Sequence, residues 1–143
     1  MSASLRPRRV APWLLLLGAL STGCTSLEEL RACSEVIEVM NPLLAEIQSE
    51  APDSSATLIR LQASRYRAMV DAMSEARRGP ASLAPRITAV MSEFRRIAQI
   101  LDEAAQAREA EELDRYLAAR TRLDASRLRL QELRRQLARR CTP

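Results

Sequence analysis

Histidine and lysine are both missing from this chain, so all 22 of its basic residues are arginine. The lack of histidine removes the usual general base near neutral pH and the commonest metal ligand. It excludes a Ser-His-Asp or Cys-His arrangement. It also excludes a Glu-x-x-His di-metal site in a helical bundle and a histidine-ligated haem. Aromatic residues amount to 3% and glycine occurs only 3 times. Sheet proteins draw on aromatic and β-branched residues and on glycine turns, so this poverty argues against a β fold. The sequence also has no glycine-rich phosphate loop, no Cys-x-x-Cys pair and no nucleophile motif.

What the chain does have suits long helices. Ala, Leu, Arg and Glu dominate, and all four are favourable in helix interiors. With 143 residues and 47% apolar content there is enough material for one domain with a modest core.

The N-terminus is organised differently from the rest. Arg6, Arg8 and Arg9 form a positive leader, and Val10 to Leu20 is an apolar run that contains Pro12 and has no polar face. A membrane-spanning helix needs about 20 apolar residues, and this run is well short. A positive leader, a short apolar run and a small-residue exit are the layout of a secretory signal. The other readings of the segment are a buried N-terminal helix or an uncleaved anchor.

The exit, Leu20-Ser21-Thr22-Gly23-Cys24, resembles the lipobox of bacterial lipoproteins. The match lies in Gly23 before Cys24, with small Ser21 and Thr22 ahead. The departure is Ser21, where the family usually has Leu; Leu20 stands one place further out. The resemblance covers the leader alone. It implies cleavage before Cys24, acylation of Cys24, palmitate among the attached chains, and a mature chain of residues 24–143. Several acyl chains hold a protein on a membrane where one holds it only marginally. In the family, Asp directly after the Cys favours retention in the inner membrane. This chain has Thr25, so the resemblance implies the outer membrane, facing the periplasm or the cell surface. Cleavage would remove three arginines and no acid, taking the net charge from +4 to about +1. The basic balance is then largely a property of the leader and is no nucleic-acid signature.

In the remaining chain, Ser26-Leu27-Glu28-Glu29 reads as a capping box. Leu30, Cys33, Ile37, Met40, Leu44, Ile47 and Ala51 follow at steps of three and four, the mark of one helical face. Pro42 falls inside this run, predicting one kinked helix over 26–50. A turn over 51–55 leads to a second helix over roughly 55–78, with Ile59, Ala63, Tyr66, Val70 and Met73 inward and Leu58, Leu61 and Met69 beside them. Arg77 and Arg78 suit its C-terminus, and Gly79-Pro80 stops it. A third helix begins near Ser82 or Pro85, with Leu83, Ile87, Val90, Phe94, Ile97 and Leu101 on its apolar face. Beyond 102–112, where no apolar residue is larger than Ala, Tyr116, Leu123, Leu130 and Leu137 repeat every seven residues, flanked by Leu113, Leu117, Leu128 and Leu133.

Two architectures compete. Local propensity favours one helix over 82–140, about 85 Å long at 1.5 Å per residue. A turn without Gly, Pro, Asn or Ser is unusual. Core burial instead asks for a reversal near 104–112 and an up-down-up-down four-helix bundle. Cys33 and Cys141 bear on the choice. Export would put them where disulfides persist. In the bundle, the first helix starts and the last helix ends at the same end, which brings the two within bonding reach. The all-α bundle closed by Cys33–Cys141 is therefore the expected fold. A helical hairpin plus one long C-terminal helix is the alternative, with buried free thiols or an interchain pair.

Glu28, Glu29, Glu35 and Glu38, and Asp102, Glu103, Glu109, Glu111 and Glu112, are expected mostly on solvated faces with ion pairs at helical spacing. Met40, Met69, Met73 and Met91 read as core filler. Arg127, Arg129, Arg134, Arg135, Arg139 and Arg140 crowd the last helix. Of these, Arg127, Arg134, Arg135, Arg139 and Arg140 are candidates for contact with anionic headgroups or lipopolysaccharide phosphates near the anchor. Nucleic acid is not an expected partner, since no aromatics interleave with the basic residues. The sequence thus points to a lipid-anchored, non-enzymatic envelope protein without a cofactor that binds another envelope protein or the envelope surface. The alternative is a carrier holding an acyl chain or other apolar ligand within the bundle.

Overall fold

The computed structural model describes residues 27–49, 55–76 and 81–141. The leader, Cys24, Thr25 and Ser26 lie outside these residues, as do the 51–54 turn and the Arg77–Pro80 stop. Among the described residues four helices make up the fold: α1 (Leu27–Ser49), α2 (Ala56–Ala76), α3 (Ala84–Glu109) and α4 (Leu113–Cys141). They form a four-helix bundle in which chain neighbours pack together. Interfaces are extensive between α2 and α3 and between α3 and α4. The first helix leans mainly on α2 and meets α4 along a thin seam.

The continuous helix favoured by local propensity does not form. The chain reverses at Ala110–Glu112, where Glu111 adopts a left-handed backbone with φ 58°. The Glu112 N–H donates to the Ala107 carbonyl at 2.9 Å and the Glu111 N–H to that of Arg108 at 3.3 Å. These are the two bonds of a Schellman ending, usually built on glycine. Glutamate takes the position here because the reversal buries both the α3 face and the heptad face of α4, and that burial outweighs one unfavourable backbone angle. Other ends follow local chemistry. The Ser55 hydroxyl accepts from the Leu58 N–H at 3.4 Å, and Pro85 occupies the first turn of α3, where a missing N–H costs nothing.

The core is centred on α3. Ile87, Val90, Met91, Phe94, Ile97 and Leu101 are fully or almost fully buried, joined by Met69 and Met73 from α2. All four residues of the α4 heptad, Tyr116, Leu123, Leu130 and Leu137, are buried, as are Met40, Met69, Met73 and Met91. Tyr66 packs against Phe94 with ring centroids 5.9 Å apart. Two departures matter. Val36, not Ile37, takes the core seat on α1, and Ile37 is only half-buried. Leu113, Leu117 and Leu128 point outward, Leu128 with 68% exposure. As the apolar periodicity implied, α1 is one helix that runs through the exposed Pro42 to Ser49.

The acids were expected to pair along their own helices. Several pair between helices instead, because antiparallel neighbours bring complementary heights together. Arg60 forks onto Glu109 at 2.5 and 2.7 Å, Arg67 meets Asp102, and Arg122 meets Glu103. Pairs within α4 also occur: Gln136 donates to Glu132 at 3.1 Å, and Arg135 lies 3.6 Å from the same carboxylate.

Candidate functional site at the α1–α4 seam

The seam between α1 and α4 is tied at one end. Cys33 and Cys141 form a disulfide with S–S 2.04 Å and Cα–Cα 5.5 Å. One turn before Cys33 along α1, the buried Glu29 carboxylate accepts from the Ser82 hydroxyl and from Arg140 Nη2, the latter at 3.4 Å. Glu29 had been read as a capping-box residue among solvated acids. It proves to be a buried tie between the start of α1, the approach to α3 and the end of α4. The Cys33–Cys141 bond and this carboxylate occupy the same end because the odd number of reversals between α1 and α4 returns the chain there.

One turn further from the disulfide the seam opens. A groove of about 390 Å³ lies between the helices, with Ile37, Met40 and Leu137 in its lining. Asn41, Gln131, Arg134, Arg135 and Ala138 complete its wall. Thus, among the described residues, two guanidinium groups face it and no carboxylate does. The groove exists because α1 leans toward α2, leaving the α1-facing side of α4 incompletely covered.

The five arginines singled out on α4 do not form one patch. Arg134 is half-buried and Arg135 exposed, and both line the groove. Arg127 stands 4.0 Å from Asp124 and reaches inward to the Tyr66 hydroxyl. Arg140 is engaged by Glu29. Arg139 is exposed and has no ion-pair partner among the described residues. Burial pushes the Tyr66 hydroxyl above its ordinary pKa of 10.0. Arg127, by charge and hydrogen bond, pulls it partly back, and Arg134 adds a smaller pull. Positive charge from α4 is therefore felt inside the bundle as well as at its surface.

Sequence reasoning missed a second buried acid. Glu93 on α3 is 5% exposed. Its Oε2 lies 3.6 Å from Arg129 Nε, and its Oε1 is buried without a hydrogen-bond partner. The helical period places residue 93 beside Ile97 and Ile100, and that periodicity was the available signal. At the far end of the bundle, a second concavity of about 420 Å³ is lined by Ala107, Arg108, Glu111, Glu112, Leu113 and Tyr116. There the Arg108 guanidinium lies 5.5 Å over the Tyr116 ring.

Among the described residues no group of three or more acids or cysteines is placed to hold a metal ion. No helix among them is long and apolar enough to cross a membrane. No protein-family model, curated protein or solved structure matches the chain. The seam's own geometry is therefore what any functional reading rests on.

Proposed function

We propose that this protein is a lipid-anchored, non-enzymatic module of a bacterial cell envelope, held on the membrane through Cys24, which uses its α1–α4 side to bind an envelope partner. The observation that carries the reading is the Cys33–Cys141 staple beside a basic-rimmed groove. A disulfide of this kind suits an oxidising compartment, in agreement with the lipobox-like exit at Gly23-Cys24. Thr25 after the cysteine favours the outer membrane within that reading. Catalysis is not part of it. The chain has no imidazole, and the residues lining the seam supply two permanent cations, two amides and apolar groups, with no general base or nucleophile among them.

Intact mass of the membrane-extracted protein, with and without reductant, tests the proposal. The expected mass begins at Cys24, carries acyl chains, and rises by two hydrogens on reduction. An unlipidated mass that still includes residues 1–23 would overturn the anchored reading. A photo-crosslinker at Ala138 should capture an envelope component, whereas one at exposed Gln99 on α3 should not. Equal capture at both positions would count against the α1–α4 side.

A carrier remains the second reading, favoured by the size and lining of the groove. The bundle axis is filled by Phe94, Met69, Met73 and Ile97, so an acyl chain would have to lie in the seam.

A further inference from the structure

We infer that the α1–α4 groove is a binding site for a single-chain anionic amphiphile, its acyl chain lying on Ile37, Met40 and Leu137 and its anionic head held by Arg134 and Arg135. The inference rests on reading the α1–α4 side as the binding side, and it gives that side a ligand class.

Size comes first. A methylene fills roughly the volume of a water molecule in the liquid, ~30 Å³. A groove of about 390 Å³ then seats roughly a dozen carbons, about the length of one medium acyl chain. Shape agrees: the lining runs over two turns of α4, from Gln131 to Ala138, along a single seam.

Charge decides the head. Among the described residues no carboxylate lines the groove. Arg135 shares its charge with Glu132 at 3.6 Å. Arg134, half-buried at the wall, has no carboxylate partner among the described residues. A guanidinium presents a planar fork of donors that matches carboxylate or phosphate oxygens, and the Asn41 and Gln131 amides offer further donors. A cationic amphiphile would meet two positive charges in the same place. A neutral one would gain the apolar floor and leave the fork unused. The disulfide ties α1 to α4 one turn along from Ile37 and Leu137. The seam is thereby held at a fixed width there and the ligand need not order it, which favours binding.

Carboxylate and phosphate heads share this chemistry. The test titrates the oxidised full-length chain with dodecanoate, with a dodecanoyl lysophospholipid bearing an anionic head, with dodecyltrimethylammonium and with dodecanol, all below their micellar concentrations. One equivalent of dodecanoate or lysophospholipid should bind at least about tenfold more tightly than the ammonium compound, and the tighter of the two anions identifies the head. Arg134→Gln should weaken the anion about tenfold while leaving dodecanol unchanged. Ala138→Phe, at an exposed wall position, should abolish binding of both. Equal affinity for the ammonium compound overturns the assignment, as does anion binding undisturbed by Ala138→Phe or the absence of saturable binding. Failure here differs from failure of the envelope reading. A lipidated chain that cross-links a partner at Ala138 but takes no amphiphile loses only the ligand. An unlipidated chain that binds dodecanoate at the seam loses only the anchor.

Discussion

The Cys33–Cys141 bond should be the largest single contributor to stability that chemistry can remove reversibly. It closes a loop with a sequence separation of 108. Restricting the unfolded chain over about 100 residues is worth roughly 4.7 kcal/mol in the loop-entropy model. Small domains have a total of about 5–15 kcal/mol, so reduction should remove a third or more of it. The native state adds a reason to expect a large effect. The first helix has only a thin seam with α4 and leans chiefly on α2, and the described ion pairs that cross between helices join α2 to α3 and α3 to α4, with Glu29–Arg140 alone reaching α1. Once the staple opens, α1 is the element that leaves first. Urea unfolding followed by far-ultraviolet circular dichroism, oxidised against reduced or against the Cys33→Ala/Cys141→Ala double variant, measures the loss. With a urea slope of about 1–3 kcal/mol per molar, the midpoint should fall by roughly 2 M. Amide exchange in the reduced chain should quicken in α1 before α2, α3 or α4. A midpoint unchanged on reduction would refute the loop-entropy reasoning. Uniform quickening across all four helices would refute the claim that α1 is the weakly held element.

Four other outcomes follow from the same geometry. Glu111→Gly should raise stability by about 0.5–1 kcal/mol, since glycine takes a positive φ without steric cost but adds unfolded-state entropy; a thermal melt that falls would contradict the Schellman assignment. Phe94→Ala, at a fully buried position on α3, should cost about 3–5 kcal/mol in urea titration. Glu93→Leu should be neutral or stabilising by about 1 kcal/mol, because it removes a buried carboxylate oxygen that has no partner; a loss above about 2 kcal/mol would mean that the acid holds α4 in place. Tyr66 carries a raised pKa from burial, so its contribution is fully present below the unfolded value of about 10 and is lost as pH rises through the higher folded value. Denaturant titrations between pH 9 and 12 should show that decline, and Tyr66→Phe should flatten it.

Helix identity and the inner face of each helix were legible where periodicity is long and clean. The α3 face from Leu83 to Leu101 and the α4 heptad from Tyr116 to Leu137 are buried as their spacing implies. Legibility failed where two apolar residues stand side by side. Val36 and Ile37 are 100° apart on α1, and only the lean of that helix toward α2 decides which one enters the core. Leu113, Leu117 and Leu128 belong to the apolar inventory of α4 but lie on an arc that no other described helix covers. The candidate site was half visible. The arginines of α4 could be counted, but their division among the groove, Tyr66 and Glu29 depends on neighbours brought from distant parts of the chain.

Composition and periodicity alone determined that the chain is helical and that histidine-based catalysis is closed to it. Those are local properties, set by which side chains are present and how they repeat. Tertiary structure alone decided the reversal at Glu111, against the local preference for continuing the helix. It also decided the seating of Glu29 and Glu93 as buried acids and the thin α1–α4 seam that leaves a groove. These outcomes depend on how much apolar surface distant segments bury against one another. That quantity outweighs backbone propensity by several-fold and is not contained in any one stretch of sequence.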